Sequence, residues 1–232
     1  MEETSANAAL TQSVIKENVS GIAQDIAEVL LDATLDEGLL KEIPVLSLLV
    51  RAFGIGRGIR DRLFLKKVML FLSEAGRISG ADREAFAKRL SDEPRLAENC
   101  GEAAFLLLDK LAQMSKARLM GYAFRRFVQG GIDEVILNRI YAALEFLPFW
   151  QLIELPEFYF GRGLGNLGQS EAASYQQLWL VEVYYGDKDK RLHLDFRTGK
   201  SFYEEYHQPF YRRTDIGLSV AELIRDYLNE PD

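Results

Sequence analysis

Apolar residues recur every three or four positions through most of the first 147 residues, and beyond that point the spacing changes. Between Leu10 and Leu40 the residues Val14, Val19, Ile22, Ile26, Val29, Leu30 and Ala33 line one helical face, which predicts an amphipathic helix. Residues 1–9 read as frayed, and Gly38 as a kink or an end. Phe64–Glu74 predicts another helix, stopping near Gly76. Ser79 then caps a helix over Ala81–Leu90, with Asp82 at the third position where a capping-box acid belongs. Ser91 or Asp92 opens the next, with Pro94 in its first turn. The run Ala103–Leu111 is apolar nearly all round and predicts a central buried helix. Ala117–Gln129 follows and breaks at Gly130-Gly131, and Asp133 caps a helix that ends at Leu147 before Pro148.

After Pro148 the pattern is different. Phe149–Phe160 (FWQLIELPEFYF) reads as strand-like or irregular, Gly161–Ser170 as a flexible loop and Glu171–Gln177 as a short helix. Leu178–Tyr185 is rich in β-branched and aromatic residues. Arg191–Phe196 alternates strictly, with Leu192, Leu194 and Phe196 on one face, and Ser201–Tyr206 predicts a third strand. Turns are expected at Gly186–Lys190 and Arg197–Lys200, and a short extended piece at Phe210–Arg213. Thr214 or Asp215 caps a last helix whose apolar face is Ile216, Val220, Leu223, Ile224 and Tyr227. The fold class expected is α+β: an all-α domain over 1–148, then a small β-rich domain over 149–232, either winged-helix-like or an antiparallel meander capped by a helix, packed against it. Packing is expected because Phe149–Phe160 is too aromatic for a solvated linker.

The densest apolar stretch, Leu39–Leu72, also carries the most uneven charge. Between Val50 and Leu72, Arg51, Arg57, Arg60, Arg62, Lys66 and Lys67 stand against Asp61 alone. Lys41, Glu42 and Arg51 interrupt it too early for a span of about 20 apolar residues. It reads either as a buried hairpin of two helices broken at Gly54–Gly58 or as an interfacial element meeting anionic lipid. Gly54, Gly56 and Gly58 match neither GxGxxG nor a phosphate loop. Residues 1–42 hold nine acids against Lys16 and Lys41, equal to the whole formal charge of −7, so the remainder is neutral overall. That balance argues against bulk nucleic-acid binding.

Little in the sequence carries catalysis. Cys100 is the one cysteine, so no internal disulfide forms and a reducing compartment is expected. The acidic start MEETSANAAL has no apolar signal region. The expected location is the cytoplasm, or the periphery of the inner membrane if the basic apolar stretch meets lipid. His193, His207 and Cys100 are too few for a structural zinc site, and no cofactor is expected. His193 and Asp195 share a strand face that could orient a proton transfer. Cys100 precedes Gly101 and a helix whose dipole would lower its pKa, but the favoured reading is a half-buried structural cysteine. Lys116, Arg118, Arg125 and Arg126 make a second basic cluster, read as a solvated helix face. Of many aromatic residues in the last third, Trp150, Tyr159 and Trp179 are the candidate interface anchors. The reading is therefore a non-enzymatic interaction or regulatory protein, with a protein partner or a second copy as its contact. The alternatives are a membrane-associating effector that meets an anionic surface through Leu39–Leu72 with Arg51, Arg57, Arg60, Arg62, Lys66 and Lys67, and nucleic-acid binding through the C-terminal tail with Arg125 and Arg126.

Two resemblances accompany these readings. Laying Ile78 on Ile132 matches Gly76 with Gly130, Val68 with Tyr122 and Phe86 with Ile140. This quasi-repeat over Phe64–Leu147 loosely resembles the paired helices of TerB-like, tellurite-resistance-type domains. Those domains are associated with acidic metal-binding residues, and neither turn here gathers such a cluster. The tail resembles a winged helix: Tyr175–Val181 (YQQLWLV) sits where a recognition helix runs into a wing, and Phe210–Leu223 where a strand returns to a closing helix. Leu178-Trp179-Leu180 lacks the small residue expected before the wing strand, and Glu171–Gln177 carries no Arg or Lys. The combined order is similar to uncharacterised bacterial proteins, and what it implies is a role in a defence or stress system.

Overall fold

In a computed structural model the chain divides into two compact units, Met1–Phe149 and Trp150–Asp232. The structure describes residues 6–29, 45, 58–161, 163, 167–194 and 201–230. Among these the protein is mainly helical, with one two-stranded antiparallel sheet, so its class is α+β with helix predominating. Arg51, Arg57, Asp195 and the hairpin expected around Gly54–Gly58 lie outside the described residues.

The first unit begins with α1 (Ala6–Val14) and α2 (Val19–Val29). Residues 6–9, expected to fray, are helical, and Ala9 and Leu10 are buried. Asn18 turns the chain between the two helices at φ 58°, a left-handed conformation that Asn tolerates better than most residues. Then come α3 (Ile59–Ala75), α4 (Gly80–Asp92), α5 (Pro94–Lys110), α6 (Met114–Val128) and α7 (Glu134–Phe146). Ser79 Oγ accepts from the Asp82 amide, and Asp133 accepts from the Ile136 amide at 2.8 Å. Each satisfies a donor that the first helical turn cannot. The displacement that lays Ile78 on Ile132 also lays α4 on α7 end to end, with Phe86 and Ile140 both buried.

The core lies between α3 and α6. Phe71 and Phe124 meet at 5.4 Å between ring centroids, and Phe86 and Phe127 pack edge-on at the same place. The helix expected at the centre, Ala103–Leu111, is instead one amphipathic half of α5, with Leu106 and Asp109 facing solvent. Its apolar run is denser than its buried face. Helices α3 and α6 cross closely at Gly121: a side chain there would collide with the Phe71 carbonyl oxygen and the Glu74 Cβ. Glu74 sits buried beside that crossing, 3.6 Å from Arg118 and 3.8 Å from Arg77.

The second unit starts in α8 (Phe149–Pro156) and its continuation as a π-turn, Glu157–Gly161. This corrects the strand-like reading of Phe149–Phe160. A short apolar run does not declare its period, and Pro156, which has no amide hydrogen to donate, marks where the α-helix gives way. Next are α9 (Gln169–Gln177), β1 (Val181–Leu194), β2 (Ser201–Arg213) and α10 (Asp215–Asn229). The expected turn at Gly186–Lys190 is absorbed within β1 as an irregularity between Tyr185 and Lys188, so two long strands replace the three or four short ones. Val181 pairs with Arg213 and Leu194 with Ser201. Lys190 lies opposite Glu205 and Arg191 opposite Glu204 in the register.

The helix crossing generates a stability prediction. Gly121→Ala is expected to cost about 1–3 kcal/mol, the usual penalty of overpacking. Gly21→Ala, in α2 with no atom near the added methyl, should gain up to about 1 kcal/mol from helix propensity. Urea unfolding of the two variants should move in opposite directions.

Candidate functional site

Among the described residues, the basic side chains singled out by the sequence do not form one surface. Arg60 and Arg62 are on the first turn of α3, and Arg60 reaches Asp109 at 3.9 Å. Lys66 is half-buried. Lys67 is only 7% exposed, and its Nζ donates to the carbonyls of Asp109 and Leu111 at the end of α5, at 3.1 and 2.9 Å. Burial holds its pKa below the usual lysine value; Asp109 raises it in part and Arg60 lowers it. Arg125, at 6% exposed, lies over the Tyr122 ring at 4.8 Å. Lys116 is buried as well and donates to the carbonyls of Leu144 and Leu147 where α7 ends. Lys67, Arg125 and Lys116 are thus removed from any solvated basic face. Two of these charges complete helix C-termini, whose last carbonyls have no helical partner.

Cys100 is buried, as a structural cysteine would be. It stands inside α5 rather than before a helix, and burial pushes its thiol up to about 11, with Glu134 adding to the effect and Arg89 opposing it. His193 pairs in the ribbon opposite Phe202. Among the described residues no group of three or more His, Cys, Asp or Glu side chains is placed to hold a metal ion. No helix among them is long and apolar enough to cross a membrane.

The second unit holds an arrangement with a different character. Tyr159, one of the three candidate interface aromatics, is fully buried. Its hydroxyl donates to the Leu180 carbonyl and accepts from the Thr214 amide. Burial raises its pKa, partly offset by Thr214 and Arg213. Thr214 Oγ1 lies 2.6 Å from the Trp179 carbonyl, to which it donates, and accepts from the Gly217 amide to cap α10. Gly217 has no room for a side chain against the Leu180 carbonyl and the Tyr159 hydroxyl. One phenol and one threonine therefore tie the end of α9, both roots of the ribbon and the start of α10 together.

Trp179 stands at the edge of that knot. The Leu180 amide bonds the Tyr175 carbonyl and the Trp179 amide the Gln176 carbonyl, the two bonds of a Schellman helix stop. The residue at its turning point takes φ 60°, a conformation in which glycine is favoured and a bulky side chain is an outlier. Trp179 is nevertheless 65% exposed. The outer face of the ribbon root carries Tyr184 stacked on Phe210 at 5.4 Å, both 43% exposed. Arg212 lies over Tyr184 and 3.5 Å from Glu182. The opposite face meets α9, leaving a shallow groove lined by Ala172, Gln176, Val183, Tyr185, Pro209 and Tyr211. Trp150 is half exposed on α8. Sequence reading found Trp179 as an aromatic; nothing local in Leu178-Trp179-Leu180 announces its left-handed backbone.

The chain matches no protein-family model, no curated protein and no solved structure.

Two measurements follow. Trp179→Gly removes a side-chain penalty from a left-handed residue and should raise the unfolding free energy by about 1 kcal/mol, where an ordinary exposed tryptophan would give no gain. In the unfolded chain Cys100 ionises near its ordinary 9.0 and in the fold near 11, so the unfolded state loses its proton first. The associated stability is intact below pH 9 and falls between pH 9 and 11. The urea midpoint should drop over that interval, and less so in Cys100→Ala.

Proposed function

We propose that this is a non-enzymatic interaction protein whose contact surface is the ribbon root around Trp179. The observation that carries the reading is the conflict at that residue. A large side chain occupies a backbone conformation where glycine is more stable, while most of its surface stays in water. Strained positions of this kind cluster where a side chain serves something outside its own fold, and tryptophan is the residue most enriched among interface anchors. Tyr184, Phe210 and Arg212 supply neighbouring contact groups of the same preferred types.

The order α9, ribbon, α10 supports a winged-helix-like form for the tail, with the ribbon as a single long wing. Contact through the wing fits better than groove reading by α9, whose sequence QSEAASYQQ has no cation to place on phosphate. Residues 150–232 hold fourteen acids against nine bases, a balance that also disfavours nucleic acid and anionic lipid.

A photo-crosslinking amino acid placed at position 179 of the full chain tests the proposal. Irradiation should give a discrete protein adduct from position 179 and none from position 135, an exposed apolar site on α7. No adduct from position 179 above that control would overturn the reading.

A further inference from the structure

Resting on that reading, we propose that the partner at the ribbon root is a second copy of this chain, seated face to face on the first. A two-stranded ribbon is at best marginal in water unless one of its faces is covered. Here α9 covers part of one face. The other presents the Tyr184–Phe210 stack to solvent.

The charges on that open face identify the occupant. Glu182 pairs across the ribbon with Arg212, and Tyr184 with Phe210. Each pair stands level, one residue on either strand. A two-fold axis running along the ribbon between two facing copies exchanges the strands while keeping those levels. It therefore sets Glu182 of each copy against Arg212 of the other, and Tyr184 of each against Phe210 of the other. The face is its own complement, as an isologous contact requires. A partner chosen by net charge would meet one sign paired and the other opposed.

Glu182 and Arg212 are both more than half exposed in the single chain, so their own bridge contributes little. In the dimer the same groups become part of a charge network.

The experiment uses two charge-reversed full-length variants, Glu182→Arg and Arg212→Glu. Light scattering on a sizing column should give wild type twice the 26.4 kDa of the chain. Each variant alone, with unchanged far-ultraviolet circular dichroism, should run at the monomer mass, because both groups of its face then carry one sign. Mixed in equal amounts, the two should recover the doubled mass. A purely intramolecular role for the Glu182–Arg212 bridge cannot produce recovery on mixing. Wild type remaining monomeric up to roughly 100 µM, a dimer that persists in either variant alone, or a mixture that stays monomeric would overturn the inference. A position-179 adduct to a different protein, with wild type monomeric, would overturn the second copy while leaving the interaction reading intact.

Discussion

The candidate surface depends on one buried hydroxyl. Tyr159 sits where water cannot reach its oxygen, so that oxygen must find partners within the fold; it finds the Leu180 carbonyl and the Thr214 amide. Leu180 is the residue after Trp179 and Thr214 the one before α10. The same pair of bonds thus closes the stop of α9, aligns the first residues of β1 with the last of β2 and starts α10. Gly217 makes the closeness possible by having no side chain. Remove the hydroxyl, and the left-handed turn at Trp179 loses the neighbour that keeps it from relaxing.

The first unit obeys a similar logic with different groups. Gly121 lets α3 and α6 approach until the phenylalanines of both interlock, and Glu74 at the crossing is held by Arg77 and Arg118. Lys67 and Lys116 close the carbonyl ends of α5 and α7 from within. Buried cations are expensive, and their positions at unsatisfied carbonyls explain why the fold keeps them.

Local chemistry was legible in the sequence and distant packing was not. Ser79, Asp133 and Thr214 could be named as caps because capping is decided within four residues. The helical spacing up to Leu147 was equally plain. Phe149–Phe160 misled because aromatic density suits strand and helix alike, and Asp187–Lys190 misled because a polar turn and a strand irregularity share a composition. Lys67, Lys116 and Arg125 looked solvated because a sequence shows a charge without showing the carbonyls or ring it lies against. Tyr159 and Trp179 were indistinguishable as aromatics, yet one is core and the other surface. What separates them is packing and the left-handed turn at Trp179, neither of which a local pattern shows.

The central claim is that the Tyr159 hydroxyl holds Trp179 in place for contact. Amide hydrogen exchange, compared between wild type and Tyr159→Phe under native conditions, addresses it directly. Protection at Trp179, Leu180 and Thr214 should fall by tenfold or more, the equivalent of about 1.4 kcal/mol, while amides in α3 and α6 keep theirs. Unchanged protection at those three residues would contradict the account.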